Sequence, residues 1–146
     1  SALAGASFVL MTDVASDSLA LALSAAASNG VGHCVKTASL KWEEDDMSSD
    51  ETPLARLLQE HGPFDVVIGS DVLFNGPLTQ QLTRLIASVL RASGTEGARA
   101  ILADPEERAF RPLLGEAGEL AGLECTEMRV PGLEGTVIVN LMLANP

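Results

Sequence analysis

The chain has 146 residues, 47% of them apolar, and a formal charge of −11. That length and composition suit one domain with a packed core and exclude a disordered chain. The charge excludes nucleic acid as a partner, because phosphate backbones require a Lys/Arg surface, and it disfavours an anionic membrane surface for the same reason.

The cysteines, Cys34 and Cys125, are too few for a disulfide framework, and no CxxC spacing suggests zinc. Both read as small core residues of a protein kept in a reducing compartment. No apolar run reaches the roughly 18 residues of a membrane span. Ser1-Ala2-Leu3-Ala4 carries no basic region of a targeting peptide. An intracellular, cytoplasmic protein is expected.

In chain order, strand and helix alternate. Residues 8–11 form a short continuous apolar run ending at Thr12-Asp13, as in a strand buried on both faces. Ser16 is expected to cap a helix that Asp17 favours, with Leu19, Leu23, Ala26 and Ala27 inward and a stop at Asn29-Gly30. A second strand is expected over 33–40. The acidic stretch 43–52 reads as a solvated loop, and it lacks the glycine a calcium-binding loop needs, so no metal site is assigned. Residues 53–61 form a short helix with Leu54, Leu57 and Leu58 inward.

The clearest strand is 64–70, followed by Asp71-Val72-Leu73-Phe74. Asn75 then caps a helix with Pro77 in its first turn and Leu78, Leu82, Leu85, Ile86 and Val89 on one stripe, ending before Gly94. Residues 98–103 make another buried strand, closed by Asp104-Pro105. Helical signal returns over 106–120, weakened by Pro112, Gly115 and Gly118. Strands at 125–130 and 136–143, joined by Pro131-Gly132, end the chain as an antiparallel pair. The sum is a single domain over 1–146: a doubly wound, mostly parallel α/β sheet of Rossmann-like type with a C-terminal antiparallel hairpin.

In such sheets ligands bind beyond the carboxyl ends of the strands. Asp13, Asp71 and Asp104 stand at three of those ends. Three acids on one rim form a functional pattern, although Asp at a strand-to-helix turn is equally a capping residue.

Val9-Leu10-Met11-Thr12-Asp13, the helix ending at Asn29, Leu40-Lys41-Trp42, and the run from Phe64 through Ser70-Asp71-Val72-Leu73-Phe74 together resemble one family. It is the protein-lysine methyltransferase branch of the class I, seven-strand S-adenosylmethionine-dependent methyltransferases, and the resemblance covers about residues 2–111. It implies S-adenosylmethionine as cofactor, with Asp13 accepting from both ribose hydroxyls and Trp42 packed on the adenine; a plain core aromatic is the ordinary alternative for Trp42. It places Ser70 and Asp71 near the sulfonium, with Asp71 orienting the amine of a protein substrate. Methyl transfer is an in-line displacement, so alignment supplies most of the catalysis. Phe74 stands where the family usually has Tyr; the aromatic face remains to favour a cation, and the hydroxyl is lost.

An acidic ribose ligand normally follows the glycine-rich loop by roughly 20 residues. Asp13 stands too near the first residue for that spacing, and Ala2-Leu3-Ala4-Gly5 resembles the tail of the first helix with Gly5 as its cap. The first strand and its glycine loop are therefore expected upstream of Ser1. That strand belongs between those ending in Asp13 and Asp71, so two central edges are expected to lack a partner here, and another strand or chain to complete them. The alternative function is accordingly a catalytically silent, methyltransferase-like structural subunit of a larger assembly.

Other α/β functions fit less well. A phosphoacceptor receiver needs an acidic pair after its first strand and a late lysine, and no lysine follows Lys41. A nicotinamide dehydrogenase needs a GxGxxG, and a Ser–His–Asp hydrolase a GxSxG elbow; neither is present. His33 and His61 read as ordinary polar residues.

Overall fold

The structure is a computed structural model that describes residues 1–42 and 52–144. The acidic loop expected at 43–52 lies, Thr52 apart, outside the described residues. The chain gathers into two compact units, Ser1–Glu44 and Asp45–Pro146. Among the described residues no helix is long and apolar enough to cross a membrane.

The first unit opens with a 3-10 turn, Ala2–Ala4, stopped by Gly5 at φ 92°, a left-handed conformation that glycine adopts without a Cβ penalty. Strand β1 (Val9–Asp13) and strand β2 (Val35–Ser39) pair in parallel, with Val9 opposite Val35 and Asp13 opposite Ser39. Helix α1 (Ser16–Ser28) makes the crossover between them. Its buried residue is Ala26; Leu23 and Ala27, expected inward, are exposed. Ser16 is the first helical residue, not the cap. The cap position is Ala15, which makes no side-chain cap hydrogen bond; its own N–H donates to Asp13 Oδ1 at 2.8 Å, so the strand-end carboxylate closes the turn that leads into the helix. His33 lies in a 3-10 turn, Gly32–Cys34, and not in the strand. Among the described residues, the buried apolar side chains of this unit are Ala26, Val35 and Leu40.

The second unit holds helix α2 (Pro53–His61), strand β3 (Val66–Ser70), helix α3 (Gly76–Ser93), strand β4 (Arg99–Pro105), helix α4 (Arg111–Leu120), strand β5 (Leu123–Met128) and strand β6 (Thr136–Leu143). Caps set the two long-range helices. Thr52 Oγ1 accepts from Ala55 N–H at 3.0 Å and Asn75 Oδ1 from Leu78 N–H at 2.8 Å, each with a proline in the first turn. Gly94 ends α3 in the left-handed conformation, as expected.

The four strands run in the order β3-β4-β6-β5, with β3 and β4 parallel and β6 antiparallel to both its neighbours. Alternation along β4 and β6 buries Ala100, Leu102 and Asp104 together with Val137, Val139 and Leu141 on one face. Helix α3 supplies the opposing layer through Leu82, Leu85, Ile86, Val89 and Leu90, and α4 adds Leu114. On the other face, Val66 and Ile68 of β3 are exposed. Among the described residues β3 pairs with β4 alone, so it is the edge of its sheet, as β1 is in the two-stranded sheet.

Helix α4 begins at Arg111, five residues later than its apolar pattern suggested, because Pro112 is tolerated in a first turn and not in a helix interior. Residues 106–110 are a turn instead.

Candidate functional site

On the first unit, Asp13 ends β1 and Leu40 N–H donates to the Asp13 carbonyl at 3.2 Å, which extends the pairing of the two strands to their carboxyl ends. Trp42 follows two residues later and is half-buried. The two residues expected to hold ribose and adenine therefore stand on one rim. Asp13 is exposed; one carboxylate oxygen is taken by Ala15 N–H, and the other makes no hydrogen bond among the described residues. One oxygen is thus available for a ribose hydroxyl, with the second already fixing the side chain.

On the second unit, Ser70 is the last residue of β3 and Asp71 follows it, its N–H donating to Ala103 O at 2.9 Å. Asp71 has φ 55°, the one positive-φ residue other than glycine among the described residues. A non-glycine residue in this region is strained by its Cβ, and such strain gathers at functional turns. The turn throws the Asp71 side chain out into solvent, while Leu73 two residues on is wholly buried. Phe74, half-exposed, completes the rim. Ser70, Asp71 and Phe74 thus lie within five residues at the carboxyl end of β3.

Asp104 behaves otherwise. It was grouped with Asp13 and Asp71 as a rim carboxylate, yet the period-two alternation of β4 turns it inward beside Ala100 and Leu102, at 1% exposure. Its Oδ1 accepts from Leu73 N–H at 3.3 Å, and its Oδ2 has no hydrogen-bond partner. Burial raises its carboxyl above the ordinary value, against the lowering effect of the Leu73 and Val72 amides and of Arg111. Asp104 is the internal brace of the loop that carries Asp71 and Phe74.

Sequence reasoning missed the turn at 106–110. Arg108 lies 26% exposed, its Nη2 in an ion pair with Asp71 and its Nε 3.6 Å from Asp104 Oδ1. The turn is held at its flanks by Glu106 N–H to Gly135 O at 2.7 Å, by the ion pair of Arg129 with Glu106, and by Arg111 Nε to Glu127 Oε1 at 3.2 Å. Phe74, Pro105, Glu107, Arg108, Ala109 and Phe110 line an open cavity of about 320 Å³. The signal for it was present in Phe110, an aromatic beside a broken helical pattern. Among the described residues no three His, Cys, Asp or Glu side chains converge as metal ligands would.

Solved structures share this arrangement of elements. A methyltransferase from Pyrococcus furiosus aligns over 94% of the chain and 64% of its own length, with a TM-score of 0.65 at 12% identity. The fold is a Rossmann-like methyltransferase fold. A magnesium protoporphyrin IX methyltransferase from Synechocystis PCC 6803, with bound S-adenosylmethionine, aligns over 98% of the chain and 62% of its own length, TM-score 0.61, 17% identity. The [4+2]-cyclase SpnF gives 0.66 over 99% of the chain and 70% of its own length at 14% identity. The chain thus spans about two-thirds of the length of these proteins. No protein-family model and no curated protein sequence matches it. Neighbours of such different chemistry mean that the fold carries no single reaction with it, and function must be argued from the site.

Proposed function

We propose that the chain is the substrate-orienting and nucleoside-binding part of an S-adenosylmethionine-dependent methyltransferase acting on a protein amine, a lysine side chain. The observation that carries this reading is Asp71: a carboxylate held out at a strained, left-handed turn at the end of β3, with Phe74 and an open cavity beside it. Asp13 offers one oxygen to a ribose hydroxyl and Trp42 a ring face to adenine. When bound, the cofactor supplies a methyl group activated by its sulfonium. What this chain's residues add is alignment: Asp71 holds an amine by charge and hydrogen bond, and Phe74 gives it an aromatic face. Asp104 keeps the loop from moving by accepting from Leu73 N–H.

Calorimetric titration with S-adenosylhomocysteine, with Asp13→Ala as control, tests the cofactor half. Micromolar binding lost in the variant is expected; binding unchanged by Asp13→Ala would remove Asp13 from the site. Transfer of labelled methyl to lysine peptides, lost in Asp71→Asn, tests the substrate half.

A second reading, a catalytically silent structural subunit, is favoured by the edge of β3. Its Val66 and Ile68 are 43% and 62% exposed, and a strand with an open edge beside apolar side chains is a template for another strand. In this reading a partner chain contributes that strand, and the absence of the Phe74 hydroxyl carries no penalty. Native mass spectrometry of the protein as purified from its source decides it: a monomer that transfers methyl groups rules the structural subunit out.

A further inference from the structure

Arg108 is an odd neighbour for a carboxylate assigned to a cationic substrate. Its guanidinium already pairs with Asp71 and lies at the same time 3.6 Å from the buried Asp104. The two arms differ in solvent access. The Asp71 side chain is 67% exposed and that of Asp104 is 0%. An exposed ion pair is screened and weak, whereas a guanidinium group beside a buried carboxylate is held. Arg108 also lines the cavity with Phe74 and Phe110, two aromatic side chains suited to a cation. Its Nε is buried and has no hydrogen-bond partner, so its hold on Asp104 is one of charge, with no hydrogen bond to break when the guanidinium leaves Asp71.

We propose that Arg108 is a latch that occupies the substrate's seat: its guanidinium rests on Asp71 until the ammonium of an incoming lysine side chain displaces it, and Arg108 then swings on Asp104 as its remaining anchor. This rests on the assignment of Asp71 as the amine-orienting carboxylate. The latch makes Asp71 selective. A neutral side chain cannot replace Arg108 without leaving a carboxylate unpaired, whereas a cation exchanges one ion pair for another. It also keeps the carboxylate neutralised and the strained turn pinned when no substrate is present.

The test is binding of Nα-acetyl-lysine methylamide, followed by NMR on the full chain, with the neutral norleucine analogue as control. Arg108→Gln is expected to bind the lysine probe roughly two- to five-fold tighter than wild type, the worth of one exposed ion pair. Asp71→Asn is expected to abolish binding in both backgrounds, and the norleucine analogue to bind neither protein. Protection of the Leu73 amide reports that Arg108→Gln keeps its loop; Arg108→Lys, which retains the charge with a single donor, is expected to fall between. Equal affinity of wild type and Arg108→Gln, both lost on Asp71→Asn, overturns the latch and leaves the substrate assignment standing. Binding by neither, or binding that survives Asp71→Asn, overturns both.

Discussion

Replacing Asp104 separates what its shape contributes from what its charge contributes. In Asp104→Ala the N–H of Leu73 loses its acceptor in a wholly buried position, and a stranded buried donor costs about 1–3 kcal/mol. The larger figures for a broken buried ion pair do not apply, because Arg108 keeps Asp71 and Arg111 keeps Glu127. In Asp104→Asn the side-chain oxygen still accepts from Leu73, so the cost at neutral pH stays under about 1 kcal/mol. Urea unfolding, read by NMR signals of the second unit, measures both. With a denaturant slope of about 1–3 kcal/mol per molar, the alanine variant should lose on the order of 1 M in midpoint.

The pH dependence gives a second handle. Burial raises the folded carboxyl of Asp104 above its free value of 3.8. Its contribution is therefore fullest below that value and is lost as pH rises through the folded one. Asp104→Asn has no such loss, so relative to wild type it should look worst in acid and improve towards neutrality. Equal destabilisation by Asn and Ala, at all pH values, would refute the argument that Asp104 acts as a hydrogen-bond brace.

Three further outcomes are expected. Gly118→Ala puts a Cβ 2.5 Å from Cys125 Sγ, so an exchange that normally strengthens a helix should instead cost about 1–3 kcal/mol; thermal melts of Gly118→Ala with and without Cys125→Ala should show most of that cost relieved in the pair. Gly69→Ala meets Leu102 Cδ2 at 2.8 Å and Val72 at 3.2 Å, and should cost a similar amount in a urea titration, with the Asp71 turn disturbed. Burial, with Glu119 and Glu127 nearby, pushes the Cys125 thiol up; its alkylation by iodoacetamide should lag that of a free thiol at pH 8 and gain on it only in stronger base.

How far the sequence revealed all this depended on what kind of signal each residue carried. Helices α2 and α3 were legible because proline, cap and apolar stripe coincide around Pro53 and Pro77. The strand at β3 and the terminal hairpin followed from the run Val66-Val67-Ile68 and from Pro131-Gly132, whereas the insertion of β6 between β4 and β5 left no local signal. Asp104 was misjudged because a strand-end carboxylate looks alike whichever face it takes; only counting by twos from Ala100 shows that it points into the core. Arg108 was invisible for a different reason. Its partner Asp71 lies a helix and a strand earlier in the chain, and no local pattern joins them. The cap expected at Ser16 failed because the helix takes Ser16 as its first residue, the turn before it being closed by Asp13, the last residue of the strand, on the Ala15 amide.

The thin interior of the first unit has a kinetic consequence. Ala26, Val35 and Leu40 are a small anchor for two strands and a helix, and segments with few buried contacts open locally far more often than a core like that around Ile86 and Leu141. Backbone amides of β1 and β2 should therefore exchange their hydrogens through local excursions, while those of β4 and β6 wait for global unfolding. Asp13 sits on the more labile part. If Asp13 holds a nucleoside as proposed, the ligand would bind only closed conformers, and its affinity and the protection of β1 would be two readings of one equilibrium, each rising with the other.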